Sequence, residues 1–365
     1  MEELVIIGGG ASGLSAAIAA VSRGARVLLL EGGRETGRKI MMTGNGKCNF
    51  SNRVMNSSCY YTEQPEFVKS VLDRFGTEQT LAFFHKMGVL YTEKRYPAVS
   101  PSPVYLYPRS EQASSVRDAL TRTALAKGVR ILTKEKVTSL TAAAGGKDFQ
   151  IRAEYGSSWH SRLVLLACGG RAAPSSGSDG SGYTLAASLG HRILEPLPAL
   201  VPLTCEGNFW KKIGGVRTQA DILLEIGRKP VKAERGELQL TDYGISGIPV
   251  FQVSRLAAKA LAEGTEVTVC LDFMPEYTPD ELKALLAERK MHWDEDGGDS
   301  LPGFGFLSGI LPAKLAAFLL EPWGGRAPGN QFDLNRLAAA MKCFRVKAAG
   351  TRGFEAAQVC AGGVP

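Results

Sequence analysis

The chain has 365 residues, 44% of them hydrophobic and 22% charged, so it can bury the cores of about two ordinary domains. No apolar run reaches the roughly 18–20 residues that a bilayer span needs, and no secretory signal precedes the first strand. Seven cysteines without CxxC spacing disfavour a zinc ribbon, an iron–sulfur cluster and a disulfide framework. The net charge of +7 is spread along the chain, which indicates anionic ligands weakly and nucleic acid more weakly still. We therefore expect a cytoplasmic protein without a metal site.

The first thirty residues have the pattern of a βαβ unit that binds a dinucleotide. An apolar run at residues 4–7 predicts a buried parallel strand, and a glycine-rich turn with the sequence GGGASG comes directly after it. An alanine-rich helix comes next, and residues 26–30 predict a second strand that ends in Glu31. This complete context makes the glycine motif far more specific than a lone GxGxxG.

Each glycine of the turn has a mechanical reason. Gly8 allows the tight turn, Gly10 lets the backbone approach a pyrophosphate, and Gly13 allows close packing of helix on strand. The helix that begins at Ala11 and Ser12 presents free N–H groups and a positive dipole end to the phosphates. Glu31, followed by Gly32, lies where a carboxylate accepts hydrogen bonds from ribose hydroxyls and repels a 2′-phosphate.

A long polar loop comes next, where a plain dehydrogenase would continue with another βα unit. Residues 37–52 carry three cations, Arg38, Lys39 and Lys47, together with asparagines and glycines. Such a loop suits an anionic cofactor that is rich in hydrogen-bonding groups. An ordinary solvated surface loop has a similar composition, so composition alone leaves both interpretations open.

These segments resemble the BaiN/YhiN-type family of FAD-dependent, NAD(P)-linked oxidoreductases, which are two-dinucleotide-binding flavoproteins. The resemblance covers essentially the whole chain, and TGNGKCN at residues 43–49 is its most specific element. The other segments that carry it are GGGASGLSAAIAA, YPRSEQA at 107–113, ACGG at 167–170, GSDGSGY at 177–183, PALVPL at 198–203, GE at 236–237 and DYGISG at 242–247. The resemblance implies an α/β fold: a three-layer Rossmann-like FAD-binding domain with a parallel sheet and an inserted substrate domain of strands and helices.

The resemblance also implies FAD as the cofactor and NAD(P)H as the electron donor. Because the sequence shows one glycine fingerprint and no second one for a nicotinamide, the donor is expected to bind transiently. By analogy with related flavoproteins, Val137 faces the adenine and the strand that leads into residues 167–169 closes the FAD domain. The residues expected to contact FAD are Gly8, Gly10, Ala11, Ser12, Gly13, Glu31, Gly32, Arg38, Lys39, Thr43, Gly44, Asn45, Gly46, Val137, Ala167, Cys168 and Gly169.

Further along the chain, periodicity predicts helices at residues 66–75, 77–87, 110–127 and 184–190, with strands between 129 and 167. The family supplies the domain boundaries: an FAD-binding domain of residues 1–190 and 346–365, and an inserted domain of residues 191–345. The inserted domain is expected to be β-rich over 191–275 and helical over 276–345. Within it, the charged stretch 288–299 is expected to be a solvated loop.

In the family, a further segment that contacts the flavin pyrimidine comes after the strand expected at residues 358–364, whereas this sequence stops at Pro365. The sequence is then either a fragment or a protein that does without this element. In both cases we expect flavin-ring binding to be affected more than adenosine or pyrophosphate binding.

No residue is assigned a catalytic role from the sequence. Cys48 has no partner cysteine, so packing explains it better than redox chemistry. Tyr107 and Tyr183 are candidates for proton donation to a reduced enone carbon, although packing explains each of them better. His191 comes after a helix end, where histidine commonly acts as a cap. Arg38 and Lys47 either compensate phosphate charge, stabilise a reduced, anionic flavin, or are solvated surface charges.

The leading hypothesis is an enzyme that delivers hydride from reduced flavin to the activated C=C bond of a hydrophobic carbonyl compound such as a 3-oxo bile acid. The basic composition suits a carboxylated, and hence anionic, substrate. An RNA-linked flavoprotein is the first alternative, which a clustered basic face with exposed aromatic residues would favour. A non-catalytic FAD-binding protein is the second.

Overall fold

The computed structural model describes residues 2–95, 104–143, 146, 148–295, 303–323 and 332–365. The chain divides into two compact units. The first unit comprises Met1–Gly170, Pro174–Leu194 and Val364–Pro365, and the second comprises Arg171–Ala173 and Glu195–Gly363. None of the helices in the described ranges is long and apolar enough to cross a membrane.

The first unit alternates strands and helices at its start and contains a long run of strands in its second half. Its strands are β1 (Glu2–Ile7), β2 (Val27–Glu31), β3 (Ser51–Asn52), β4 (Tyr91–Arg95), β5 (Val104–Pro108), β6 (Arg130–Thr133), β7 (Val137–Ala142), β8 (Phe149–Ala153) and β9 (Ser158–Leu166). Its helices are α1 (Ala11–Val21), α2 (Arg38–Met42), α3 (Pro65–Arg74), α4 (Thr77–Lys86), α5 (Ala113–Ala126) and α6 (Ser181–Ser188).

A six-stranded sheet in the order β6-β2-β1-β9-β8-β7 organises the first unit. Strands β6, β2, β1 and β9 run parallel, while β9, β8 and β7 pair antiparallel. Apolar side chains cover both faces: Ile6 packs in a cluster with α1 and α5, and Val5 and Ile7 pack in a second cluster on the other face. Burial on both faces is the reason that residues 4–7 are continuously apolar instead of alternating.

A second, smaller sheet in the order β3-β5-β4 lies beside the polar loop of the first unit. Phe50, just before β3, contacts Phe84 of α4 with ring centroids 4.8 Å apart. Backbone bonds Phe50 N to Leu106 O and Arg53 N to Val104 O hold the end of the loop against β5. Part of the stretch expected to be loop is helical, because α2 and a 3₁₀ turn precede β3.

The second unit contains the remaining elements. Its strands are β10 (Leu194–Ala199), β11 (Leu203–Cys205), β12 (Arg217–Ile226), β13 (Lys229–Thr241), β14 (Gly244–Gly247), β15 (Val267–Asp272), β16 (Phe344–Thr351) and β17 (Val359–Gly363). Its helices are α7 (Trp210–Ile213), α8 (Ile248–Ala262), α9 (Pro279–Glu295), α10 (Ala313–Leu320), α11 (Leu334–Lys342) and α12 (Gly353–Ala356).

Six of these strands close a barrel in the order β11-β14-β13-β12-β15-β16. Its strands alternate inward apolar and outward polar residues, as Val267, Val269 and Leu271 of β15 show by their full burial. Helix α8 packs its buried residues, including Val250 and Val253, against the barrel strands. The unit therefore has a core of its own.

The structure corrects several expectations. The sheet of the first unit is mixed, because β8 runs antiparallel to both of its neighbours, β7 and β9. Residues 346–363 belong to the second unit and not to the first, because β16 hydrogen-bonds to β11 and β15 and so closes the barrel. The stretch expected to be β-rich contains the 15-residue helix α8. Helix α9 extends to Glu295 through most of the expected charged loop, while residues 296–299 lie outside the described residues.

A disulfide between Cys270 and Cys343 also departs from expectation. Spacing along the chain gives no sign of it, since 73 residues separate the two cysteines. Strand pairing brings them together: Cys270 lies opposite Arg345, and Cys343 comes two residues earlier, with 5.2 Å between the two Cα atoms. This separation is within the range that a disulfide bridges.

The disulfide should stabilise the second unit. Changing Cys343 to Ser should lower the free energy of unfolding by about 2–4 kcal/mol in the absence of reductant, because the cross-link constrains a long loop of the unfolded chain. Urea unfolding with and without dithiothreitol measures this. Cys59→Ser, at an exposed free cysteine, is the matched control. An unfolding midpoint of Cys343→Ser equal to that of oxidised wild type would contradict the expectation.

Candidate cofactor-binding site

Three backbone segments of the first unit meet without room for a side chain. A Cβ atom on Gly13 would lie 1.9 Å from the carbonyl oxygen of Gly8, and one on Gly8 would lie 2.4 Å from the carbonyl oxygen of Ala167. Gly8 also has a φ of +109°, which disfavours any other residue. The ends of β1 and β9 and the start of α1 are thus in direct contact.

The next glycine is open. A Cβ on Gly10 would meet no atom within 4 Å, so this side of the backbone faces free space. Gly10 is the N-cap of α1, it provides no side-chain cap, and the first turn of the helix has no acidic residue. The first amides of an α-helix lack intrahelical acceptors, so this helix start has donors and a positive dipole end for an anion.

Glu31 at the end of β2 ties two glycine turns together. Its carboxylate accepts hydrogen bonds from Gly9 N at 2.7 Å and from Gly33 N at 2.6 Å. A carboxylate has about four lone-pair sites, so both oxygens can still accept from a ribose hydroxyl. Glu31 therefore shapes the turn as well as offering acceptors.

A cavity of about 730 Å³ lies over this edge of the sheet, within the size range of small-molecule sites. Most of the residues predicted to contact the cofactor line it: Gly8, Gly10, Ala11, Ser12, Glu31, Gly32, Arg38, Lys39, Thr43, Val137, Ala167, Cys168 and Gly169. Those that do not line it are Gly13, Gly44, Asn45 and Gly46. Gly13 packs against β1, and the other three form the crest of the 3₁₀ turn.

Two parts of the cavity wall were not anticipated. One is the segment between β9 and α6, which contributes Pro174 and residues 176–179. The GSDGSGY motif at residues 177–183 begins in this segment, and the sequence alone indicates no role for it. The other part is apolar and consists of Phe50, Phe84, Val116 and Leu120. Its members come from separate elements, so no local pattern reveals it.

An ion pair spans the cavity wall between Lys136 and Asp179, with Nζ 2.8 Å from Oδ2. Asp179 also accepts a hydrogen bond from Ser181 N at 3.0 Å, at the first residue of α6. Partial burial opposes ionisation of this carboxyl, but the bonds from Lys136 and Ser181 outweigh it and lower the pKa of Asp179 to about 2. The carboxylate therefore stays charged throughout the physiological range.

The cations of the polar loop have different surroundings. Arg38 lines the cavity and donates to Ser175 O at 2.6 Å. Lys47 does not line it, and its Nζ lies 2.8 Å from Oε2 of Glu111. Compensation of phosphate charge is therefore geometrically open to Arg38, whereas Lys47 has a protein carboxylate as its partner.

Two thiols reach the cavity wall. Burial raises the pKa of Cys48 above its ordinary value, and burial raises the pKa of Cys168 to about 11. Both thiols therefore stay protonated at neutral pH and are poor nucleophiles. Tyr107, Tyr183 and His191 do not line the cavity, so the structure does not bring these hydroxyl and imidazole groups to it.

The sequence of the chain matches known proteins over its full length. Residues 2–364 match the family described as the HI0933-like protein Rossmann domain. The chain is 43% identical to the 3-dehydro-bile acid delta(4,6)-reductase of Clostridium scindens, over 100% of this chain and 87% of the relative. It is 26% identical to the ribosomal RNA dihydrouridine synthase of Haemophilus influenzae, over 100% of this chain and 86% of that protein.

Among solved structures, 3-ketosteroid-delta4-(5alpha)-dehydrogenase from Rhodococcus jostii RHA1 aligns with a TM-score of 0.44 and 14% identity, over 99% of this chain and 84% of that chain. The sequence matches define the class: this is an oxidoreductase with a Rossmann-like domain. The chain belongs to the HI0933-like Rossmann family, and its resemblance to the BaiN/YhiN-type flavoproteins is confirmed.

The cavity fits FAD on structural grounds. The open face of Gly10 and the uncapped start of α1 suit a pyrophosphate, and the carboxylate of Glu31 suits a ribose.

A pair of glycine variants separates binding from folding. Gly10→Ala should cost no more than about 1 kcal/mol of stability, yet weaken FAD binding roughly tenfold or more by obstructing phosphate hydrogen bonds. Gly13→Ala should prevent stable folding, because its Cβ would overlap the carbonyl oxygen of Gly8. Circular dichroism and flavin fluorescence titration measure the two effects. Unchanged FAD affinity in a folded Gly10→Ala variant would contradict the assignment.

The Lys136–Asp179 pair should give a defined pH dependence. The native pKa of Asp179 lies below its unfolded value of about 3.9, so its stabilisation is complete above that pH and is lost as the pH falls towards 2. We therefore expect the difference in the free energy of unfolding between wild type and Asp179→Asn, measured in urea, to be the same at pH 7 and pH 5. The difference should be smaller at pH 3. A difference that is as large at pH 3 as at pH 7 would count against the ion pair.

Proposed function

We propose that this flavoprotein reduces an activated C=C bond, conjugated to a carbonyl group, in a hydrophobic small molecule such as a 3-oxo bile acid. The observation that carries the proposal is the 43% identity, across the whole chain, to a 3-dehydro-bile acid delta(4,6)-reductase. The proposed electron donor is NAD(P)H. The excess of basic residues is compatible with a substrate that carries a carboxylate.

We propose that FAD occupies the cavity of the first unit. The open backbone at Gly10 and the amides of Ala11 and Ser12 hold the pyrophosphate, and Glu31 accepts hydrogen bonds from the adenosine ribose. Arg38, which lines the same cavity, balances the phosphate charge. Gly13 supports this arrangement indirectly through its contact with Gly8.

When bound, FAD would supply the redox chemistry: the hydride equivalent taken from NAD(P)H would be delivered to one alkene carbon, and the other alkene carbon would take a proton from the medium. The chain's own residues bind and orient the cofactor and exclude water. The apolar wall formed by Phe50, Phe84, Val116 and Leu120 provides a dry surface for a planar ring system. The two thiols of the wall remain neutral, so they do not take part as nucleophiles.

A ribosomal RNA substrate is less well supported, because the relatives that act on RNA share only 26% and 27% of their residues with this chain. The identity to the bile acid reductase is much higher over the same length.

The decisive experiment is an anaerobic assay with flavin-loaded protein. NADH or NADPH should bleach the flavin absorbance, and a 3-oxo-Δ4 or 3-oxo-Δ4,6 steroid acid should restore it with formation of the saturated product. A matched substrate in which the C=C bond is already reduced is the control. Reoxidation by unmodified ribosomal RNA, with none by the steroid enones, would overturn the proposed substrate class.

Cys48→Ser tests the role of one of the two wall thiols in the same assay. Since the thiol of Cys48 is buried and protonated, the variant should retain flavin reduction by the nicotinamide within about threefold of wild type. Complete loss of turnover with flavin still bound would show that the thiol takes part in the chemistry.

A further inference from the structure

We infer that Glu111, in the YPRSEQA motif, is a positioning residue that clamps the TGNGKCN loop against the cofactor cavity through a shared ion pair with Lys47 and Lys94. This inference rests on the proposed placement of FAD in that cavity. It gives one physical role to two motifs that are far apart in the sequence. The clamp consists of Lys47, Lys94, Tyr107 and Glu111.

The loop that the clamp holds has an unfavourable backbone. Gly44, Asn45, Gly46 and Cys48 all have positive φ angles, of 55°, 54°, 80° and 58° respectively. Two of these residues are not glycine, and a non-glycine residue in this region costs of the order of 1 kcal/mol or more. Such a run persists only when surrounding contacts hold it in place.

The two flanks of this run contribute to the cavity. Thr43 lines the wall before the run, and Cys48 and Asn49 line it at the end. The conformation of residues 44–47 therefore sets the distance and direction between these wall positions. A change in the crest moves the wall, although the crest itself does not line the cavity.

Glu111 provides the electrostatic part of the clamp. Its Oε2 atom lies 2.8 Å from Lys47 Nζ and 2.7 Å from Lys94 Nζ. Two ammonium groups thus share one carboxylate oxygen, and they would repel each other at close range if the negative charge were removed. These two hydrogen bonds also lower the pKa of Glu111 to about 2, so the charge is present at all physiological pH values.

Tyr107 provides the packing part. A Cβ atom on Gly44 would lie 3.1 Å from Cε1 of the Tyr107 ring, so the ring covers the crest directly. The ammonium group of Lys94 lies 5.4 Å from the centre of the same ring, within cation–π range. One lysine therefore links the packing and the electrostatic halves of the clamp.

The motif is anchored on elements that also form the site. Tyr107 belongs to β5, which pairs with β3 at the exit of the loop. Glu111 precedes α5, whose residues Val116 and Leu120 line the cavity. The clamp therefore joins the loop to a strand and a helix that are fixed relative to the site.

The experiment measures FAD dissociation constants by flavin fluorescence for the full-length chain. Glu111→Gln should weaken FAD binding by about five- to tenfold, because both charge-assisted pairs of Glu111 are lost and two cations are left together. Lys47→Met removes the pair that ties the loop to Glu111, so it should have a similar effect. The double variant should be no weaker than Glu111→Gln, because Glu111→Gln already lacks this pair. Tyr107→Phe keeps the ring, so its FAD affinity should stay within twofold of wild type. Tyr107→Ala removes the ring, so its FAD affinity should fall by more than twofold.

The matched control is Glu93→Gln, which breaks an ion pair with Arg53 beside the same small sheet but outside the TGNGKCN segment at residues 43–49. Its FAD affinity should stay within twofold of wild type, even if its unfolding midpoint falls as much as that of Glu111→Gln. Equal affinities for Glu111→Gln and wild type, or equal losses in Glu111→Gln and Glu93→Gln, would overturn the clamp. Affinity needs no turnover, so failure of the proposed steroid reaction in wild type is a separate result.

Discussion

The backbone contact between Gly8, Gly13 and Ala167 is the constraint on which the cofactor site depends. Atoms of three segments approach so closely that no Cβ fits at either glycine. This contact sets the start of α1 directly over the carboxyl ends of β1 and β9. Without it, the amides of the helix start and the open face of Gly10 would not point into one cavity, and the anion site would not exist.

The parallel part of the sheet explains how distant residues reach that cavity. Because β1, β2 and β9 run in the same direction, their carboxyl ends share one edge, and Glu31 and Ala167 lie beside the glycine turn. Charge is then balanced within the wall by partners from different loops, as in the pair of Lys136 and Asp179. The same principle places Lys47 with Glu111 at the edge of the site.

The second unit is held together differently. Its barrel closes when β16 pairs with both β11 and β15, which removes the exposed edges that an open sheet would leave. The buried helix α8 and the apolar faces of the barrel strands share a single core. Cys270 and Cys343 become neighbours only as a consequence of this closure.

Local pattern was sufficient to predict the first βαβ unit, the tight turn at Gly8, the close packing at Gly13 and the helices now seen as α3 and α4. Those features depend on backbone freedom at single residues and on the spacing of apolar side chains, which are properties of short segments. The family resemblance added the expected cofactor and further candidate residues, of which Thr43, Val137 and Ala167 line the cavity.

Tertiary structure alone decided the antiparallel half of the sheet, the membership of β16 in the barrel, the helix α8 and the disulfide. It also decided that residues 44–46 stand off the cavity wall and that Lys47 pairs with Glu111. Each of these depends on strand register or on contacts between segments separated by dozens of residues. Apolar periodicity shows that a segment is buried, but it does not say against which partner.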